Sequence, residues 1–573
     1  MRVRALPLLV GLAVGIAPAS SAPVFDAHWQ AWAEARVADL ESRGARQPIH
    51  PATWADHRDA ERAALRDMLG LHPEPPRGDL RVTFTGRHER DGVQVDLLHF
   101  QSLPGLYVTA NYWRPAGAAD TPRPTVLYLC GHGVQKDADG RSNGNKTHYQ
   151  HHGAWFAAHG YNCLILDTVQ WGEILGQHWG TYRLDRWWWV SRGYTPAGVE
   201  TWSALRGLDF LLARPEVDPA RIGVTGRSGG GAYAWFIAAL DDRVAVAAPT
   251  AGITHLRDHV LAGCIAGHCD CMYMLNTRRW DFDRLAALTA PRPLLVVNTD
   301  RDPIFPLAGV QWIHASLRRV YQGLGVPAQL GLHVVEGGHQ DLQTVHWGVF
   351  HWFERHLKGT PATAFLERPA RKLFEPRELR VFDALPADEI NTRVDEVFVP
   401  AATEPPVPEN AATWATLRQR WLAALEEDVF RWSDAPRQPP PATDPGLHGR
   451  RALLLLGDPL DCLRVGDLVR RHRDAPEGPA LTAAGRDAAH LLYASLFLPG
   501  ERALVLRDLP RSHATDGPAY PGVLRHLDLP QALALAAARR PVRVIGDPSH
   551  WDWSRRTAAL HGFADRLILD PAP

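Results

Sequence analysis

Three residue types in this chain, a serine, a carboxylate and a histidine, are placed as acyl-transfer chemistry requires. The β-forming run Ile222-Gly223-Val224-Thr225 ends in Gly226-Arg227-Ser228-Gly229-Gly230 and continues into a helix-forming stretch over 232–240. Gly-x-Ser-x-Gly between a strand and a helix is a nucleophile elbow, whose glycines leave room for neighbouring backbone around a strained serine. A serine hydroxyl is a weak nucleophile at neutral pH, so a histidine must take its proton and a carboxylate must orient the imidazole. In chains with such an elbow the order is serine, acid, histidine. The apolar strand 294–297 opens into Asn298-Thr299-Asp300-Arg301-Asp302-Pro303-Ile304-Phe305-Pro306. Asp302 fits the place of the acid there, while Asp300, nearer the strand end, fits a turn cap. His339 follows the strand 332–335 and the pair Gly337-Gly338, where the base is expected, whereas His333 lies inside that strand and reads as a packed side chain.

The oxyanion of a tetrahedral intermediate needs two fixed N–H donors. Gly229, directly after the serine, supplies one, and the turn Gly131-His132-Gly133-Val134 is expected to supply the other from Gly133 or Val134. The candidates for substrate contact are His132, Arg227, Trp171, Glu173, Trp187 and Trp188. The last four lie in an insertion, 171–202, dense in tryptophan and tyrosine. Such a stripe commonly packs in a core, but this one follows the carboxyl end of a strand, where flat aromatic faces with polar neighbours suit a sugar ring.

Cys264, His268, Cys269 and Cys271 crowd together. Four ligands within eight residues leave little room for a tetrahedral zinc site, which prefers separated pairs. A disulfide from Cys264 to Cys269 or Cys271 is expected instead, and no metal or cofactor is assigned.

These residues need a scaffold, and the pattern supplies one. Helical spacing over 25–42 and 51–71 (Trp29, Trp32, Ala33, Val37, Leu40) is followed by alternating strands at 80–85, 93–98 and 106–112, the first two joined by Asp91-Gly92, a hairpin signal. Thereafter strands at 125–129, 162–166, 222–225, 244–248, 294–297 and 332–335 alternate with helices, which implies a parallel sheet covered on both faces. Ligand groups in such sheets gather at the strand carboxyl ends, where all the polar candidates fall. Prolines at 400–408 and 436–445 bracket a helix-like 413–428. Beyond them, strands at 452–456, 503–506, 542–545 and 566–569 with a helix at 482–496 form a second, smaller α/β unit. Its segment 528–539 resembles 281–292, as a degenerate duplication would, yet it has no Gly-x-Ser-x-Gly. The expected divisions are therefore 1–22, 23–79, 80–358, 359–445 and 446–573.

With 573 residues the chain exceeds a single core, and its formal net charge of −1 with dispersed arginines gives no sign of a nucleic-acid partner. Met1-Arg2-Val3-Arg4, an apolar run to Ala17 and small residues to Ala22 read as a secretory leader, so export to the periplasm or medium is expected. No later stretch is long and apolar enough to span a membrane.

Taken with Leu106-Tyr107-Val108 before Tyr112-Trp113-Arg114-Pro115, Val217-Asp218-Pro219-Ala220-Arg221-Ile222, Ala290-Pro291-Arg292-Pro293 and Gly338-His339, these motifs resemble the α/β-hydrolase superfamily, and within it the bacterial acetyl xylan esterase and dienelactone-hydrolase-like branch. The resemblance covers about residues 80–358. It implies an α/β-hydrolase fold and a serine esterase that acts on small-molecule or polysaccharide esters, acetyl or methyl, through Ser228, His339 and Asp302. A prolyl-oligopeptidase-like peptidase shares the Val-Asp-Pro and Gly-x-Ser-x-Gly-Gly features but would need a large N-terminal propeller. A non-catalytic carbohydrate-binding protein would not need the triad.

Overall fold

The protein is described by a computed structural model, which covers residues 24–46, 49–117, 121–133, 136–360, 369–432, 435–436 and 438–572. The leader-like stretch 1–22 lies outside the described residues. Nine strands form the main sheet: β1 (Thr83–Arg90), β2 (Val93–Leu103), β3 (Leu106–Pro115), β4 (Arg123–Leu129), β5 (Asn162–Leu166), β6 (Val217–Arg227), β7 (Val246–Thr250), β8 (Leu294–Thr299) and β9 (Leu330–Val335). Their spatial order is β1-β2-β3-β5-β4-β6-β7-β8-β9. The pairs β1–β2, β2–β3 and β3–β5 are antiparallel, and every pair from β5 to β9 is parallel. A parallel sheet buries both faces, so its strands carry apolar residues at successive positions. Leu127, Leu129, Leu164, Leu166, Leu294 and Val296 enter one core, with Trp202 and Leu205 of the helix Pro196–Leu212. Their neighbours Val126, Tyr128, Cys163, Ile165, Leu295 and Val297 enter the other, against Trp155, Phe156, Val349 and Phe350.

Two N-terminal helices, Ala27–Arg46 and Trp54–Met68, bury Trp29, Trp32, Trp54 and Leu65 in the first of these cores. Trp29 also donates its indole N–H to the Thr443 carbonyl at 3.2 Å, which ties the proline-rich connection to the body. Deeper in the same junction, Asp458 accepts from Arg36 Nε at 2.6 Å and from Arg279 Nε at 3.0 Å, with side chains of all three residues at most 7% exposed.

The second sheet contains β10 (Leu481–Ala484), β11 (Leu504–Arg507), β12 (Val542–Ile545) and β13 (Leu567–Asp570), parallel and in chain order. Its core also takes in Trp414 and Trp421 of the helix Ala411–Ala424. Two sequence expectations are corrected here. The apolar run 452–456 is the end of a helix, Gly446–Leu455, whose Ala452, Leu453 and Leu455 join the main core. A short apolar run has no period that separates a buried strand from a buried helix. The segment 482–496 begins as strand β10 and becomes helix only from Arg486 to Ser495, because Gly485 breaks the run with a φ of 57°.

The second sheet repeats the latter half of the first at the level of single hydrogen bonds. Ser228 N–H donates to Thr250, the last residue of β7, at 3.0 Å, and Gly485 N–H donates to Arg507, the last residue of β11, at 2.9 Å. Ala251 to Val297 at 2.8 Å is matched by Asp508 to Ile545 at 2.9 Å, and Asp300 to Val335 at 2.9 Å by Gly546 to Asp570 at 3.0 Å. Ala251 and Asp508 both have positive φ, 58° and 47°. Asp281 and Asp528 each cap the helix that precedes the third strand of their set, accepting from the next backbone N–H. Gly485 thus occupies in the second unit the place that Ser228 holds in the first.

Removing one partner of a buried charged network leaves the others uncompensated, at a cost of about 3–5 kcal/mol. Asp458→Ala, which removes the carboxylate that Arg36 and Arg279 share while Arg36 keeps Asp39 at 2.7 Å, should lower the free energy of unfolding by up to that amount in urea titration. A change below about 1 kcal/mol would show that the Arg36–Asp458–Arg279 junction does not hold the N-terminal helix to the body.

Candidate active site

The turn after β6 is built by what cannot fit there. Ser228 stands at φ 59°, ψ −117°, a conformation that few side-chain-bearing residues adopt. A Cβ on Gly226 would lie 2.4 Å from the Gly230 carbonyl oxygen, and one on Gly230 would lie 2.0 Å from the Leu129 carbonyl oxygen. β6, the following helix Gly229–Leu240 and the end of β4 therefore meet backbone to backbone. The Ser228 hydroxyl is thrust out at the carboxyl edge of the sheet.

Two loops bring partners to it. His339, on the turn after β9, places Nε2 2.9 Å from Ser228 Oγ and Nδ1 2.7 Å from Asp302 Oδ2. Asp302, on the loop after β8, accepts with its other oxygen from the backbone N–H groups of Ile304 and Phe305, both at 3.0 Å, which fixes the carboxylate. Asp300 instead turns to the Gly337 N–H at 2.8 Å. Burial pushes the Asp302 carboxyl up, but the His339 hydrogen bond and the two N–H donors outweigh it, and the group lies below its ordinary value. Burial pushes His339 down, with the Asp302 hydrogen bond opposing and the Arg227 charge assisting, so it lies below 6.5. With Nδ1–H donating to Asp302, the neutral ring leaves Nε2 to accept the Ser228 proton.

The other sequence candidates fare unequally. Gly229 N–H opens the helix after the serine, where the helix dipole adds positive potential. Gly133 is corrected: its N–H is taken by the Gly131 carbonyl at 3.0 Å, inside the turn that it was expected to serve from. Val134 lies outside the described residues. Arg227 faces Asp341, with Nε 3.8 Å from a carboxylate oxygen. Glu173 is not a substrate contact. Its buried carboxylate holds Lys146 Nζ at 2.6 Å and accepts from the Val381 and Phe382 N–H groups, and Lys146 in turn holds Asp167 at 2.7 Å. With three donors on it and its side chain only 1% exposed, this carboxylate is closed off from a ligand.

The tryptophans divide as well. Trp187 packs against Val190, Leu275 and Ala519 and so serves the junction with the C-terminal unit, whereas Trp188 packs against the main core under Arg192. Trp171 stays half-buried beside His132, ring centroids 6.1 Å apart, and donates its indole N–H to His178 Nε2 at 3.2 Å.

The expected disulfide is not formed, and all six cysteines are free thiols. Cys264 opens a short turn, Cys264–Gly267, that aims its sulfur at His259 Nδ1, 3.5 Å away. His268 stacks on Phe305, which packs against His339 in turn. Cys269 and Cys271 point elsewhere, to His132. That grouping was missed from sequence because His132 is 137 residues from Cys269; the Cys-x-Cys spacing was the one local sign of it. The C-terminal unit reaches this loop through Arg451, whose guanidinium donates to the carbonyls of Ile265 and His268.

A mostly parallel sheet with a serine elbow after β6, a carboxylate after β8 and a histidine after β9 defines the α/β-hydrolase fold. No protein-family model matches the chain. A Bacillus subtilis (strain 168) protein named "Putative hydrolase YtaP" is 27% identical over 274 residues, which are 47% of this chain and 89% of that protein. Among solved structures, Methylesterase BT1017 is 20% identical, with a TM-score of 0.46 over 67% of this chain and 81% of its own. A glucuronoyl esterase from Solibacter usitatus is 17% identical, with a TM-score of 0.42 over 54% of this chain and 94% of its own. An acetyl xylan esterase from Paenibacillus sp. R4 is 18% identical, with a TM-score of 0.37 over 52% and 94%. Scores this low say nothing about substrate.

Because backbone rather than flexible side chain would meet the added atom, Gly230→Ala cannot be relieved locally, and overpacking of this kind costs about 1–3 kcal/mol or more. Thermal unfolding of Gly230→Ala should show a clearly lowered midpoint or no folded protein. A midpoint equal to wild type would mean that the elbow has slack that its geometry denies.

Proposed function

We propose that the protein is a serine esterase. The observation that carries this reading is the Ser228–His339–Asp302 relay, with hydrogen bonds of 2.9 and 2.7 Å in line behind a strained serine. In this reading Ser228 Oγ attacks an ester carbonyl as His339 takes the proton, and Asp302 holds the ring in the required tautomer. His339 then protonates the departing alcohol, and water, activated by the same imidazole, releases the acid from the acyl-enzyme. Gly229 N–H is one donor to the oxyanion.

Acetyl or methyl esters on carbohydrate are the proposed substrates, and the half-buried Trp171 beside His132 is the aromatic face that supports a sugar ring. The leader-like 1–22 supports export. Among the described residues no helix is long and apolar enough to cross a membrane.

Ser228→Ala should lower kcat for a simple aryl acetate by about 10⁶, since triad members act as a unit. A fluorophosphonate probe should label Ser228 and nothing in the C-terminal unit. Asp302→Asn should cost about 10⁴ through the wrong histidine tautomer, and Asp300→Asn far less; the reverse ranking would unseat Asp302. Because His339 must be neutral to act as base and its proton is lost below the ordinary 6.5, kcat/KM should rise with pH along an acid limb whose midpoint lies below 6.5. Rates on a panel of acetylated and methyl-esterified glycans, with Trp171→Ala raising KM, test the substrate class.

A further inference from the structure

Four potential ligands from three distant segments converge beside the candidate active site. His132 lies on the turn after β4, His178 in the insertion after β5, and Cys269 and Cys271 on the loop after β7. One nitrogen of each ring and both sulfurs lie within 4.8 Å of one another. His132 Nε2 is 3.3 Å from Cys271 Sγ and 3.7 Å from Cys269 Sγ, and His178 Nε2 is 3.9 Å from Cys271 Sγ. Cys269, Cys271 and His178 are at most 7% exposed.

We infer that His132, His178, Cys269 and Cys271 form a closed site for one zinc ion, which ties the turn after β4 to the two loops that flank Ser228. Two thiolates and two imidazoles are the soft, four-coordinate donor set that zinc takes at structural sites. Ligands at about 2.0–2.3 Å around a tetrahedral centre stand roughly 3.3–3.8 Å apart, close to the three separations above. The sulfurs, now 2.9 Å apart, are too far for a disulfide bond of about 2.05 Å and would open by about 1 Å around the ion. Zn²⁺ displaces the two thiol protons to solvent and balances the charge of the two buried thiolates so formed. It also replaces the Trp171 indole as the partner of His178 Nε2. Four protein ligands leave no open position, so the ion positions residues rather than activating water. What it positions is visible in the packing: a Cβ on Gly229 would lie 2.9 Å from the His132 ring, so that ring sits directly over the N-terminus of the helix after Ser228.

A second cluster, His151, His152, Asp341 and His346, also gathers its potential ligand atoms within 4.8 Å of one another. There, however, His151 and His346 each hydrogen-bond one oxygen of Asp341, at 3.1 and 2.7 Å, so the carboxylate is already engaged by the rings around it.

The test does not depend on the esterase reading. Protein purified without chelator should carry about one zinc per chain by mass spectrometry of its metals, and Cys271→Ser should lose that equivalent while His151→Ala keeps it. Should Cys271→Ser fail to fold, wild-type protein stripped of metal and reloaded with Co²⁺ should show thiolate-to-cobalt charge-transfer absorption and the d–d bands of a tetrahedral ion. All six cysteines should titrate as thiols after denaturation in chelator. A Co²⁺ spectrum without thiolate bands, or a Cys269–Cys271 disulfide in non-reducing peptide maps, would overturn the site.

Discussion

The contact on which the structure turns is the approach of backbone to backbone at Gly226 and Gly230. Two strands and a helix close on one point there, and any Cβ would collide with carbonyl oxygens of Gly230 or Leu129. The energy that keeps Ser228 at φ 59° comes from elsewhere, from the apolar layers on both faces of β4, β6 and β7 that hold those elements together. Strain of about 1–3 kcal/mol is sustained only where packing over-determines the residue. The elbow is therefore a property of the whole sheet, even though five residues spell it.

That division explains what the sequence disclosed. Ser228, Asp302 and His339 each follow an apolar strand and sit in turns of distinctive composition, so strand order alone brings them together. Asp302 could be favoured over Asp300 because the acid loop has a recognisable length before Pro303. By contrast Glu173 and Trp187 owe their places to long-range partners: Lys146, Val381 and Phe382 for the first, Leu275 and Ala519 for the second. No local pattern encodes such partners. The cysteines failed for a related reason, since proximity in sequence suggested Cys264 as a partner while the sulfurs of Cys269 and Cys271 face His132. The strand expected at 452–456 shows the limit of periodicity, because four consecutive leucines are equally at home in a buried helix.

The C-terminal unit was legible as α/β but not as a repeat of such fidelity. Identity survives in little beyond an aspartate cap and an alanine-rich helix, yet the inter-strand bonds at the turns of β10, β11 and β12 reproduce those of β6, β7 and β8. The backbone geometry repeats although the side chains differ, because each turn is constrained by the two strands beside it. At Gly485 the φ of 57° remains, with nothing within 4 Å of where a Cβ would stand. Gly485 thus takes the conformation of a nucleophile turn without strain, while Ala483 and Asp487 carry side chains where Gly226 and Gly230 have none.

A unit with no hydroxyl at its turn still bears on the site in the first unit. Arg451 donates to Ile265 and His268 and stands 3.4 Å from Asp270. Asp270 in turn accepts from Thr181 in the aromatic insertion. One guanidinium thereby joins the loop that carries Cys269 and Cys271 to the insertion that carries His178, across the stretch where Phe305 packs between His268 and His339. The helix Gly446–Leu455 presents that arginine while burying Ala452, Leu453 and Leu455 in the main core. The connection beyond the hydrolase half is consequently tied to His339 through His268 and Phe305: the sheet sets where the Ser228 hydroxyl points, and the C-terminal segment braces the loop that packs behind its histidine.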